Sequence, residues 1–344
     1  MLLNISWGER MLELIEKIYA HQDLSKEQCS ILFKEIIKGK MDPIIQSSLL
    51  TGLKMKGESF AEIAGAASAL LDEASLFPAN DYELGDIVGT GGDKSNSINV
   101  STLATFVAAG LGIKMAKHGN RSVSSRCGSF DLLEALGIPF NVEIQKLKEN
   151  LDTHGICFLY APLFHAGIRY VMPVRKTLKT KTIFNILGPL INPARPTFQL
   201  VGVYSAALLE PVANALVLLG LTRGMVVYGN GMDEIAPHAE TQIIEINHGR
   251  LEKKVLSPAS FGISSFSVEH IAGGEKQENL EISLRILSGN GSEWQKKMIA
   301  MNVAPIIVMS DKAKDLKSAT GLAMDILNTG APLKLAQQMK EQRA

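Results

Sequence analysis

Ile113-Lys-Met-Ala-Lys117-His-Gly-Asn-Arg-Ser-Val-Ser-Ser-Arg-Cys-Gly-Ser129-Phe-Asp-Leu-Leu-Glu-Ala-Leu-Gly137 contains a whole βα unit in one stretch. Ile113–Ala116 predicts a buried strand, and Asp131–Leu136 predicts a helix that stops at Gly137. Between them, residues 117–129 concentrate basic groups, hydroxyls and glycines at a strand-to-helix junction. A helix start offers unpaired backbone N–H groups and a partial positive charge, so it favours an anion before any side chain is counted. Lys117, Arg121, Arg126 and the serines at 122, 124, 125 and 129 add to that field. The competing reading is a solvated loop whose serines only cap the helix.

Working outward, the same texture begins near Leu84. Short apolar runs at Asp86–Val88, Gly112–Ala116, Ile156–Tyr160, Gln199–Tyr204, Met225–Tyr228 and Ile243–Ile246 alternate with helical patterns. Such alternation implies an α/β fold with a mostly parallel central sheet flanked by helices. Residues 9–74 instead read as helical throughout: Met11, Leu12, Ile15 and Ile18 recur at helical spacing, and Ser25 with Gln28 forms a capping box. Pro173–Leu190 interrupts the alternation with a helical pattern rich in Lys, Arg and Thr, expected to return onto the N-terminal helices. The tail from about Leu280 is helical again apart from a strand-like Ala304–Met309.

The 344 residues are 46% hydrophobic and 20% charged, ordinary values for a globular enzyme. Thirty-five basic and 35 acidic residues cancel, so the overall balance favours neither nucleic acid nor membrane as partner. Cys29, Cys127 and Cys157 lack CxxC spacing, which argues against a disulfide framework or zinc site and for a reducing compartment. The charged start, with Glu9, Arg10 and Glu13, is unlike a secretory signal, and a cytoplasmic location is expected. Ser95–Ile113 carries no charge over 19 residues, yet its first half is too polar to span a bilayer.

Three further constellations carry chemistry. Gly89-Thr90-Gly91-Gly92-Asp93 follows the first strand, where glycines let backbone approach a ligand. Lys94 stands where a dinucleotide fingerprint needs glycine, and the Gly-Lys-[Ser/Thr] ending of a P-loop is missing. Asn99, Ser101 and Thr102 place an amide and two hydroxyls at the next helix start, suited to diphosphate, ribose or a metal, with plain capping as the alternative. Gly229–Glu234 follows another strand, and its Asp233-Glu234 pair beside a phosphate site invites Mg²⁺. His165 and Arg175 suggest an aromatic acid, held by a guanidinium fork and walled by rings; a structural ion pair for Arg175 is the competing view.

Taken in order, these residues resemble the anthranilate phosphoribosyltransferase family of tryptophan biosynthesis over nearly the whole chain. The matching motifs are Gly-Thr-Gly-Gly-Asp at 89–93, Asn-x-Ser-Thr at 99–102 and Lys-His-Gly-Asn-Arg-Ser-x-Ser-Ser at 117–125. Pro-Val-Arg-Lys at 173–176, Thr-Ile-Phe-Asn-Ile-Leu-Gly-Pro-Leu-x-Asn-Pro at 182–193 and Asp-Glu at 233–234 complete the series. The chain departs from the family at His165-Ala-Gly-Ile168, at Asp233-Glu-Ile-Ala236, at Ala239-Glu-Thr241 and around Trp294–Met298.

The resemblance implies transfer of the ribosyl group of phosphoribosyl diphosphate to the amino group of anthranilate, with Mg²⁺ and no covalent nucleophile. It implies a small helical domain (1–74 and 174–188), a large α/β domain (75–173 and 189–344) and a homodimer through the helical part. Carried over by position, Gly89, Thr90, Gly91, Gly92, Asp93, Asn99, Ser101, Thr102, Lys117 and Ser129 would hold phosphoribosyl diphosphate. Gly89, His118, Asn120, His165, Arg175 and Pro189 would line the anthranilate path, and Ser101, Asp233 and Glu234 would hold the metal. Pyrimidine nucleoside phosphorylases share the fold, but their phosphate loop reads Lys-His-Ser-Thr-Gly-Gly. A catalytically silent, nucleic-acid-binding relative is the other alternative.

Overall fold

The computed structural model describes residues 7–93, 95–122 and 126–341, so Lys94, the hydroxyls of Ser124 and Ser125 and the first six residues lie outside it. Four helices open the chain: α1 (Trp7–Tyr19), α2 (Lys26–Ile37), α3 (Pro43–Lys56) and α4 (Phe60–Asp72). Ser25 and Ser59 each close a capping box, with Gln28 and Glu62, while Asp42 caps α3 ahead of Pro43. These caps satisfy first-turn N–H groups that would otherwise be orphaned. Ile15 and Ile18 of α1 are buried, as their spacing predicts, but Leu12 faces outward.

The α/β region runs β1 (Gly85–Gly89), α5 (Val100–Gly110), β2 (Met115–Gly119), α6 (Ser129–Leu136), α7 (Ile144–His154), β3 (Ile156–Tyr160) and α8 (Ala161–Phe164). It breaks for α9 (Met172–Leu178) and α10 (Phe184–Leu187), which pack on α3 and α4 respectively. It resumes with β4 (Phe198–Gly202), α11 (Leu209–Leu218), β5 (Arg223–Tyr228), β6 (Thr241–Asn247) and β7 (Arg250–Leu256). Four helices close the chain: α12 (Lys276–Leu287), α13 (Glu293–Met309), α14 (Leu316–Asn328) and α15 (Ala331–Glu341).

The strands lie in the order β3-β2-β1-β4-β5-β6-β7. The first five in that order are parallel; β6 and β7 are antiparallel additions. The order in which strands are added to the sheet reverses between β1 and β4, and in open parallel sheets ligands bind outside the carboxyl ends at such a point. Alternation along each strand feeds two cores. Ile87, Leu200 and Val227 face α5 and α13, whereas Val88, Val201 and Val226 face α11 and the helical bundle. Phe106, Phe130 and Phe158 are almost wholly enclosed, each worth about 1.5–3 kcal/mol of transfer free energy.

Three readings need correction. Ala304–Met309 is not a strand but the last part of α13, whose residues 298–307 are all buried despite Pro305 within the helix. A helix enclosed all round has no polar face, so its apolar run cannot be told from a buried strand by periodicity. β2 starts and ends later than expected, which places Lys117 and His118 within the strand and not in the loop. The edge strand β7, Arg-Leu-Glu-Lys-Lys-Val-Leu, escapes pattern reading because its residues are mostly exposed and charged, as edge strands tend to be. The hairpin signal was present in His248-Gly249, both of positive φ, as a two-residue turn requires.

Candidate active site

β1 and β2 end side by side, and their loops lead to the starts of α5 and α6. Asn99 makes no capping bond to α5; its Nδ2 donates to the Cys127 carbonyl at 3.0 Å, tying the 117–129 loop to that helix start. Thr102 is fully buried, and among the described residues its hydroxyl, like Asn99 Oδ1, finds no partner. Asn99 does not cap the first turn of α5, so capping does not account for it. Ser101 Oγ instead accepts from Lys117 Nζ at 3.1 Å, and the same ammonium donates to the Ile87 carbonyl at 2.5 Å. Lys117 is only 2% exposed. Burial pushes its pKa down, while Asp86, Asp233 and Glu234 oppose the shift.

The two arginines of the loop have other work. Arg121 pairs with Asp131 at 3.2 Å and Glu134 at 2.6 Å, while Arg126 lies 3.9 Å from Glu275. Asp131 also accepts from the backbone N–H groups of Ser122 and Gly128. Arg121 thus braces the loop onto α6. Ser129 opens that helix, and its hydroxyl donates to the Asn120 carbonyl at 3.1 Å.

The glycine loop after β1 turns through Gly91 and Gly92, both at positive φ, a backbone path that side-chain-bearing residues rarely take. Gly91 N–H donates to Asp233 Oδ2 at 2.6 Å, and Lys181 Nζ reaches the Gly92 carbonyl at 3.0 Å. Thr90 Oγ1 accepts from Tyr204 N–H at 3.0 Å. The Asp233-Glu234 turn folds back over the ends of β1 and β4. It comes so close that a Cβ on Gly202 would lie 1.5 Å from the Asp233 carbonyl. Asn302 of α13 holds Ile235 N–H at 2.8 Å and Thr241 holds Ala236 N–H at 2.9 Å, so the turn is anchored despite its departures in sequence.

Asp93 joins this pair: one oxygen from each of Asp93, Asp233 and Glu234 lies within 4.8 Å of the others. Burial and then the Asp93 charge raise the Asp233 carboxyl to about 7; burial and then Asp233 push Glu234 well upward. Among the described residues, Glu234 Oε2 is buried without a partner. Crowded, partly unsatisfied carboxylates beside a lysine and free amides are a donor set for a hard divalent cation, which would relieve their repulsion.

On the opposite face of β2, the His118 and His165 rings meet edge to face with centroids 5.3 Å apart. His118 Nδ1 bonds the Gly188 carbonyl at 3.1 Å, and His165 Nε2 bonds the Ile191 carbonyl at 2.8 Å. A carbonyl only accepts, so each bonded nitrogen carries a proton. Burial, with the nearby His165 and Lys117, depresses His118 to about 3, and burial lowers His165 as well, so both rings are neutral. Pro189 sits between the two carbonyls they hold, its own carbonyl accepting from Gln199 Nε2 at 3.3 Å.

Arg175, half-buried on α9, touches none of these groups. Its guanidinium lies 5.5 Å from the Phe184 ring centroid and near the Met172 sulfur, and among the described residues it has no acidic partner. Burial lowers its pKa. The structural ion pair is therefore not what occupies it, and a carboxylate from outside is the partner its chemistry lacks. Asp86, Asn192, Gln199 and Asn302 were not singled out in the sequence, because each acts from beneath the ligand-facing loops. Lys181 and Tyr204, the ammonium of the first lying 3.3 Å from the ring centroid of the second, come together only through the fold.

Residues 81–333 match the glycosyl transferase family a/b domain, and residues 12–74 match its helical bundle domain. The chain is 52% identical over 325 residues to the anthranilate phosphoribosyltransferase of Aeromonas hydrophila, covering 94% of this chain and 95% of that protein. It is 49% identical over 329 residues to that of Psychromonas ingrahamii, covering 96% and 97%. Its fold is similar to the crystal structure of anthranilate phosphoribosyltransferase from Thermus thermophilus, with a TM-score of 0.90, 35% identity and coverage of 95% and 98%. It is also similar to the Saccharomyces cerevisiae enzyme in complex with PRPP and Mg, with a TM-score of 0.88, 29% identity and 98% of both chains covered.

Proposed function

The chain belongs to the glycosyl transferase family, among its anthranilate phosphoribosyltransferases, and on that premise we propose how its residues divide the reaction. Phosphoribosyl diphosphate and anthranilate give N-(5-phosphoribosyl)anthranilate and diphosphate. One observation supports the division most: a cationic, amide-rich edge with three crowded carboxylates lies across β2 from two neutral histidines.

On the phosphate side, Gly89, Thr90, Gly91, Gly92, Asp93, Asn99, Ser101, Thr102, Lys117 and Ser129 hold phosphoribosyl diphosphate. Backbone N–H groups and the Lys117 ammonium face the charge that gathers on the departing diphosphate, where fixed donors in a dry site act most strongly. Asp233 and Glu234, with Ser101 as the family pattern has it and Asp93 beside them, hold Mg²⁺. When bound, Mg²⁺ supplies positive charge to the leaving group. On the other side, Arg175 grips the anthranilate carboxylate, while Gly89, His118, Asn120, His165 and Pro189 shape the path of the ring. Holding a weak amine against an electron-poor ribose carbon converts a bimolecular encounter into an oriented one, and no covalent intermediate is needed.

We divide the chain into a helical domain (1–74 and 174–188) and an α/β domain (75–173 and 189–344), supported by the packing of α9 and α10 on the N-terminal helices. Exposed Leu12, Tyr19 and Ile44 on α1 and α3 support a homodimer through the helical part. Free, buried cysteines support a cytoplasmic location, and among the described residues no helix is long and apolar enough to cross a membrane. The test is anthranilate fluorescence: it should fall only when protein, phosphoribosyl diphosphate and Mg²⁺ are all present, in a species eluting at twice the chain mass. A steady signal in the complete mixture would remove the assignment.

A further inference from the structure

Asp86 is a carboxylate with no evident reason to be inside the sheet. It is 0% exposed in the middle of β1, and by strand alternation it shares the face of Val88, turned to the helical bundle. A buried charge is costly unless it is bonded, and an apolar residue would fill such a position more cheaply. Asp86 Oδ2 accepts from Asn192 Nδ2 at 2.8 Å, and the same amide donates to the Ala116 carbonyl at 2.8 Å. Asn192 Oδ1 in turn accepts from Ala194 N–H at 2.9 Å. Asn192 is thus pinned to β1 and β2 together, and it ends the segment Gly188–Asn192.

That segment is what the acceptor side leans on. Its carbonyls at Gly188 and Ile191 fix the protonated nitrogens of His118 and His165, and its Pro189 carbonyl is held by Gln199. Gln199 lies on β4, next to β1 and in register with Asp86, and holds the Pro189 carbonyl from beside it. Burial raises the Asp86 carboxyl, and the Lys117 charge and then the Asn192 amide oppose the shift. A carboxylate that holds the last residue of one short segment sets where that end of the segment lies over the sheet.

We propose that Asp86 is a positioning residue for anthranilate: through Asn192 it fixes the end of Gly188–Asn192, and with it the placement of His118, His165 and Pro189. The inference rests on the functional reading above. Asp86 touches neither substrate and lies on the face of β1 opposite to the Lys117 ammonium's contact with the Ile87 carbonyl and Ser101. Its charge also acts on Lys117, but its hydrogen bond goes to the acceptor segment, so its loss should be felt more at the acceptor than at the phosphates.

The experiment is steady-state kinetics of wild type, Asp86→Asn and Asn192→Ala in saturating Mg²⁺, with each substrate varied in turn. Asp86→Asn keeps the shape but removes the charge that draws the Asn192 amide. The KM for anthranilate should rise about tenfold and that for phosphoribosyl diphosphate by a clearly smaller factor, and Asn192→Ala, which removes the amide itself, should show the same split. An inactive wild type would defeat the functional reading itself. With an active wild type, equal rises in both KM values or no rise in either would overturn the positioning role. Should Asp86→Asn fail to fold, Asn192→Ala alone decides: an unchanged anthranilate KM refutes the proposal.

Discussion

The two sides of the site solve opposite problems. On the phosphate side, Asp93, Asp233 and Glu234 crowd together, Glu234 Oε2 and Thr102 Oγ1 lack partners, and a buried ammonium rests on neutral oxygens. On the acceptor side, His118 and His165 are neutral and each is tied to a carbonyl, and Asp86, Asn192 and Gln199 brace the segment that supplies those carbonyls. Both sides keep buried atoms without partners among the described residues, those on the acceptor side being His118 Nε2, His165 Nδ1 and Asp86 Oδ1. The first, however, crowds charge that a ligand must satisfy, whereas the second has its rings and supporting segment tied in place in advance. The difference follows from what each must bind. A diphosphate and a metal bring charge that can satisfy charge, whereas a flat aromatic acid brings little beyond one carboxylate, so its pocket must already have its shape.

The largest effect should come from breaking the charge-crowded side. Replacing both Asp233 and Glu234 with alanine is expected to lower kcat/KM by about 10²–10³-fold and to flatten its Mg²⁺ dependence. In metal-free buffer the same variant should melt no lower than wild type at pH 8, since it removes carboxylates that repel one another when ionised. Calorimetry with chelator and activity against Mg²⁺ concentration check the two halves. An unaltered metal titration would exclude these residues as ligands, and a large metal-free destabilisation would show the cluster to be structural.

How much of this contrast was legible beforehand depends on which groups face the ligand. Gly89–Asp93, Asn99–Thr102, Lys117 and Asp233-Glu234 could be found because phosphate and metal chemistry demand particular residue types at loop positions after strands. Arg121 could be read either as a phosphate contact or as a brace for the loop, and its pairs with Asp131 and Glu134, which sequence cannot show, make it the brace. The acceptor scaffold was largely hidden. A buried Asp86 in an apolar run, Asn192 before a proline and Gln199 at a strand start each look incidental until β1, β2 and β4 set them together. The same limit explains α13: its ten consecutive buried residues carry no polar face to announce a helix.

A smaller effect should sharpen the boundary between the sides. Arg175→Ala is expected to raise the anthranilate KM by about 10- to 100-fold, the worth of a charge-assisted hydrogen-bond pair, with a much smaller change for phosphoribosyl diphosphate. Arg175→Lys should recover little of it, because an ammonium cannot offer the two parallel bonds of a guanidinium. Substrate-by-substrate kinetics make the measurement. Equal rises for both substrates would mean that α9 shapes the whole cleft and that the guanidinium has no private partner.

The smallest effect tests whether the acceptor side is as finished as it looks, and it is read from stability against pH. His118 is held near 3, well below an ordinary imidazole, so between about pH 3 and 6.5 the unfolded chain binds a proton that the folded one refuses. Stability from this group is therefore present above pH 6.5 and lost as pH falls through the window. Asp86 runs the other way: burial raises it to about 6, so the folded chain holds a proton that the unfolded one releases, and its contribution is lost as pH rises from about 4 to 6. The two slopes oppose each other within one polar cluster. His118→Gln should remove the acid-side loss and Asp86→Asn should steepen it, each by no more than about 1.4 kcal/mol per pH unit. Urea midpoints from pH 4 to 7, taken as differences from wild type so that every other titrating group cancels, resolve the signs. Parallel curves for all three proteins would mean that water or rearrangement reaches these groups, and that the acceptor side, like the phosphate side, is completed only when its substrate arrives.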